Sequence, residues 1–270
     1  MSGWNENQMV VCYFALGRAG IMPEDESANG CSVAAGRKGR DFIELCIGYG
    51  LILLVIWTSR PLQRLLYYVA IFVLFAILWI SFEGWTAMGL RLTNLLRSLW
   101  VVGVAFLMAG AAVLLASRLH ALHVPDGPVL FLKTYIGYAV WSFAQQILLL
   151  DFFLLRLLRL LPGRKSAVMA TAGIFALAHL PNPILTPLTL LWGLAACLLF
   201  LRYRNLYPLA IAHAIFGVCI AVTIPGPVSH NMRVGLGYLQ YRHGGHQRSQ
   251  IDHIVSTHAW VIAEAPTRRC

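Results

Sequence analysis

The chain has 270 residues, 59% of them apolar and 12% charged, with a formal net charge of +10. Soluble domains sit near half apolar and a quarter charged, so this composition excludes an ordinary soluble fold, which would lack polar surface to cover it. The basic residues fall in short loops between apolar runs, where cytoplasmic flanks carry them; this argues against a nucleic-acid partner and for the lipid bilayer.

Residues 1–40 hold Gly, Ser, Asn and the acidic patch Glu24-Asp25-Glu26. They lack the basic start and apolar stretch of a signal peptide and read as a flexible leader, with Met22 as a second candidate start. Apolar runs come next, at 42–58, 65–82, 98–116, 128–160, 166–180, 184–201 and 206–224. About 20 apolar residues cross the hydrocarbon, and backbone in lipid must satisfy its own hydrogen bonds, so runs without strand alternation are helices. The expected fold is an all-α integral membrane protein, a bundle of about seven transmembrane helices (six to eight) over residues 41–225. The fourth run is too long for one simple crossing; it tilts, or continues as an interfacial helix carrying Arg156 and Arg159.

Punctuation supports these boundaries. Ser59-Arg60-Pro61 ends the first run, Pro162-Gly163-Arg164-Lys165 separates the fourth and fifth, and Pro181-Asn182-Pro183 breaks the chain after the fifth. Asn205 can cap the seventh helix, with Pro208 in its first turn, and Pro225-Gly226-Pro227 closes it. With the N-terminus inside, eleven Arg and Lys residues fall on inner segments and five on outer ones. That excess predicts an N-in protein of the cell (cytoplasmic) membrane. Residues 226–270 are a polar tail in which His243, His246, His253 and His258 are scattered without the spacing of a closed metal site.

The six cysteines form no CxxC pair, so neither a disulfide framework nor a zinc site is indicated. Cys46, Cys197 and Cys219 lie in apolar runs and read as small core residues.

Polar side chains inside such runs are costly and require a reason. In the fourth helix Ser142 lies three and four residues before Gln145 and Gln146, on their side of the helix. In the fifth, Phe175 and His179 share one face, and His179 is followed by Leu180-Pro181-Asn182-Pro183, where the helix must stop. In the seventh, His213 lies among Leu, Ala, Ile and Val, one turn before Gly217. Its ring N–H needs a partner, and His179 or a glutamine is the candidate. Taken singly, each has a bland reading: an interhelical hydrogen bond, a helix-end histidine, or an imidazole bonded to a nearby carbonyl. Their order on three helices is the stronger signal. Two intramembrane histidines, His179 and His213, could hold a divalent metal, orient a water or polarise a carbonyl. Asp151, five residues past Gln146 and about 140° around an α-helix, is expected to face elsewhere and pair with Arg156 or Lys165.

At these residues the chain resembles the CPBP family, the CAAX-processing and bacteriocin-processing group of intramembrane endopeptidases, over roughly residues 100–225. That family carries Glu-Glu-x-x-x-Arg on one helix, Phe-x-x-x-His on the next and His-x-x-x-Asn (or Asp) two helices later. Phe175 and His179 match the second motif, and His213 the start of the third. Gln145 and Gln146 stand where the glutamates belong, Leu150 where the arginine belongs and Gly217 where Asn or Asp belongs. The resemblance implies hydrolysis of peptide bonds in membrane-associated peptides or proteins. Water would be held among Gln145, Gln146, His179 and His213; Phe175, Ser142, Asn182 and Gly217 would shape the site. A glutamine amide cannot act as general base, so two readings stand: an endopeptidase using an imidazole or a bound metal, and an inactive relative that binds a membrane peptide or protein partner. A small transporter is a weaker third, since the chain shows no internal repeat.

Overall fold

The structure is a computed structural model that describes residues 24–241, except 83, 93 and 126, with side chains described from residue 36 onward. Cys12, Cys270, Met22, the start of the leader and His243, His246, His253 and His258 lie outside the described residues.

All regular elements among the described residues are helices. Helix α1 spans Glu24–Trp57 and α2 Leu62–Ile80; a short α3, Leu95–Ser98, leads into α4, Trp100–Arg118. Helix α5, Pro128–Gln146, runs without a break through a π-helical segment, Ile147–Leu154, into α6, Leu155–Leu160. Then come α7, Arg164–Leu177, α8, Leu185–Tyr203, α9, Tyr207–Thr223, and the short α10, Gly226–Ser229, and α11, Gly235–Leu239. The helix α1 thus opens at Glu24, within the stretch read as leader, and two short helices fold inside the stretch read as tail.

Among the described residues, four helical runs are long and apolar enough to cross a membrane: Leu62–Ile80, Leu95–Arg118, Pro128–Leu160 and Leu185–Tyr203. Tyr207–Thr223 is apolar but shorter. Their outer faces carry Phe72, Phe75, Trp79, Ile80, Leu96 and Leu107, each more than 60% exposed. Apolar surface on this scale fits lipid, not water, and the fold is that of an all-α integral membrane protein.

The long fourth run forms the centre. Every residue from Leu149 to Leu154 is buried, so the π segment is enclosed on all sides from its third residue onward. Leu149, Leu150 and Leu154 pack with Phe175, Ala196, Phe200 and Ala212 of the later helices. Phe152 and Phe153 pack on Leu45 and Leu74 of α1 and α2. Helices α7 and α8 approach closely where Gly193 leaves room: a Cβ there would lie 3.2 Å from the Cα of Ala172.

Arg156 and Arg159 do not lie free at an interface. Arg156, 2% exposed, pairs with Glu44 of α1 at 2.7 Å, and Arg159 pairs with Asp41 at 2.7 Å. Asp151 therefore does not pair with Arg156 through its carboxylate; Glu44 takes that guanidinium, which reaches only the backbone carbonyls of Asp151 and Phe152. Both Asp151 carboxylate oxygens are buried without a hydrogen-bond partner among the described residues, beside a water-sized cavity of about 20 Å³ at the end of α2. Cys197 and Cys219 are core residues as expected, whereas Cys46 is exposed on the outer face of α1.

Candidate functional site

Helix α7 has only 14 residues. At 1.5 Å per residue it is about 21 Å long, short of the roughly 30 Å of hydrocarbon. His179, just past its end, shares the Phe175 ring with His213, which is set inside α9. The irregular backbone after it is held by Asn182, which is fully buried. The Asn182 Oδ1 accepts the N–H groups of Ile184 and Leu185, both at 3.0 Å, and so caps α8. Its Nδ2 donates to the carbonyls of Ser229 and Arg233 at 2.9 and 3.0 Å. The Gly235 N–H donates to the Leu180 carbonyl at 2.7 Å. Non-helical backbone at membrane depth is tolerated where protein covers it, and the segment 229–235 supplies that cover.

The polar cluster is built across α5, α7, α8 and α9. Gln146, fully buried, places its Nε2 2.8 Å from Nδ1 of His213, itself 6% exposed. The His179 Nδ1 lies 2.7 Å from the Phe175 carbonyl. Both imidazoles pack edge-to-face on the Phe175 ring, whose centre lies 4.8 Å from His179 and 5.9 Å from His213. The indole of Trp192, on α8, lies 6.0 Å from His213.

The carbonyl contact fixes the proton of His179. A carbonyl oxygen can only accept, so His179 carries its proton on Nδ1 and leaves the Nε2 lone pair free for a proton. With Gln146 Nε2 donating, His213 Nδ1 accepts and His213 Nε2 bears the hydrogen. One imidazole is then a base and the other a donor. Two further groups keep unused capacity: Gln146 Oε1, an acceptor, and Trp192 Nε1, a donor, are buried without hydrogen-bond partners among the described residues.

Of the residues named from sequence, Gln146, Phe175, His179 and His213 come together. Ser142 is buried one turn before Gln146 and bonds the Tyr138 carbonyl at 2.9 Å. Gln145 is half-buried beside them. Asn182 acts on the chain after His179. Gly217 is buried against Tyr138, whose phenol occupies the space a Cβ at 217 would need. Trp192 and Tyr138 escape a reading of the sequence, because aromatic residues inside apolar runs carry no distinguishing spacing.

A metal finds little to hold it. A catalytic zinc takes three protein ligands, and no three His, Cys, Asp or Glu side chains converge among the described residues. His179 and His213 have each committed Nδ1. This donor set does not fit a resident divalent ion.

Residues 147–219 match the family model described as type II CAAX prenyl endopeptidase Rce1-like. The match holds Phe175, His179, His213 and Gly217, and begins one residue after Gln146. Neither a curated protein nor a solved structure matches the chain. The matched stretch, from the π segment to α9, is similar to the Rce1-like CAAX endopeptidases, which is consistent with the CPBP family.

Proposed function

We propose that this protein hydrolyses a peptide bond in a membrane-associated substrate, with prenylated CAAX-type C-termini as the substrate class to which the family match points. The observation that carries this reading is the pair of imidazoles packed on one Phe175 ring, one bonded to a main-chain carbonyl and the other to the Gln146 amide. His179 Nε2 takes a proton from water as the oxygen adds to the scissile carbonyl carbon. His213 Nε2–H, its ring fixed by Gln146, donates to the carbonyl oxygen as negative charge develops there. The C–N bond then breaks, and the proton held by His179 passes to the leaving amine. Gln146 thus serves as an orienting group, and no carboxylate is needed as base.

The test is cleavage of a panel of farnesylated and geranylgeranylated CAAX peptides by the full chain in proteoliposomes. Removing a general base costs roughly 10²–10⁴-fold in rate, so His179→Ala should lower turnover by at least about 100-fold while the melting temperature stays within a few degrees. An inactive wild type across the panel, or a fully active His179→Ala, overturns the reading.

A second reading rests on one observation: positions 145 and 146 are glutamines, so the cluster has no carboxylate there. Then the scaffold binds a membrane peptide or protein without cutting it. The same panel separates the two, since a binder retains intact peptide. The eleven-to-five charge asymmetry supports a cytoplasmic membrane location with the N-terminus inside.

A further inference from the structure

On α5 the residues 138, 142 and 146 share one face, and on α9 so do 213 and 217. The two faces meet in rungs. One rung is the Gln146–His213 hydrogen bond. The next is Tyr138 against Gly217: a Cβ at 217 would overlap the phenol oxygen and two ring carbons of Tyr138. The fit excludes any side chain at 217 while Tyr138 keeps its place. An ordinary lipid-facing tyrosine requires no such gap in a neighbouring helix. The gap lets a hydroxyl reach the backbone of α9 one turn from the His213 imidazole, with the Ser142 side chain as its hydrogen-bonding neighbour on α5.

We propose that Tyr138 is a substrate-positioning residue, whose phenolic hydroxyl, seated at Gly217, donates a hydrogen bond to a main-chain carbonyl of the bound peptide. This rests on the hydrolase reading and extends it to a residue that the motifs do not name. One helical turn rises about 5.4 Å, and an extended chain covers about 3.3–3.6 Å per residue. The carbonyl that Tyr138 reads is therefore one or two residues from the scissile bond. The neighbouring unused groups, Gln146 Oε1 and Trp192 Nε1, are one acceptor and one donor, the complement of a peptide amide. Main-chain recognition of this kind accepts varied side chains next to the cleavage site.

The experiment compares the full-length wild type with Tyr138→Phe in proteoliposomes, on a cleavable prenylated peptide and on an N-methylated, uncleavable analogue. A neutral hydrogen bond lost from binding corresponds to roughly a threefold to tenfold effect. Tyr138→Phe should raise KM and weaken analogue binding by that factor, leave kcat within about twofold, and keep the wild-type melting temperature. Gly217→Ala, which displaces the ring, should raise KM similarly, and the double variant should be no worse than either alone. Unchanged KM and analogue affinity in Tyr138→Phe overturn the assignment while leaving the hydrolase reading intact. A wild type that neither cleaves nor binds overturns both.

Discussion

A primary amide carries both a donor and an acceptor, and Gln146 has spent only the donor, on His213. Gln146→Leu keeps the volume and removes the bond, so His213 Nδ1 loses its partner in a dry site. A buried group left unsatisfied costs about 1–3 kcal/mol, which thermal denaturation in detergent should register, together with a loss of cleavage. Gln146→Glu sets an acceptor at His213 Nδ1, moves the ring proton there and frees Nε2; turnover should then rise with pH differently from wild type, a change visible in the pH–rate profile. Much of this site is legible in the sequence. A polar pair on one helix and an isolated histidine on another, both in apolar runs, have few partners but each other. The Tyr138–Gly217 contact is not legible, since only the docking of two helices decides whether a glycine is a gap or filler.

Among the elements, the apolar runs locate the helices to within a few residues, because lipid imposes one length and one backbone solution. The early end of α7 has no such signal. Its apolar run continues to Leu180, but the helix stops at Leu177 and Asn182 holds the chain beyond it. Nor does the sequence disclose the fold of 226–241, where the bonds join residues some 50 positions apart in the chain. His230, within the stretch read as a polar tail, is stacked on Tyr238 and Tyr241 at 4.0 and 4.7 Å. Asn182→Ala removes a cap worth about 0.5–2 kcal/mol and both links to that segment. Limited proteolysis should then cut within 229–241 at concentrations that spare the wild type. Gly193→Leu drives a side chain into the backbone of α7 at Ala172, and overpacking of this sort costs about 1–3 kcal/mol, expected as a lower melting temperature.

At the scale of the whole molecule, charge ties the first helix to the centre. Glu44 neutralises Arg156 and Asp41 neutralises Arg159, and neither pairing can be read from positions over a hundred residues apart. Glu44→Gln strands a guanidinium that is 3% exposed. Breaking such a pair from one side costs about 3–5 kcal/mol, so the variant should unfold at markedly lower temperature, and Glu44→Gln with Arg156→Met should recover most of the loss. The six consecutive enclosed residues, Leu149–Leu154, have a mechanical corollary. A rod gripped around its full circumference serves as an axle: it can neither turn nor slide without unpacking two cores together. Motion of the bundle must then be made by outlying helices swinging about a stationary middle, and spin labels on α2 or α4 should report displacement where labels on the axle stay still.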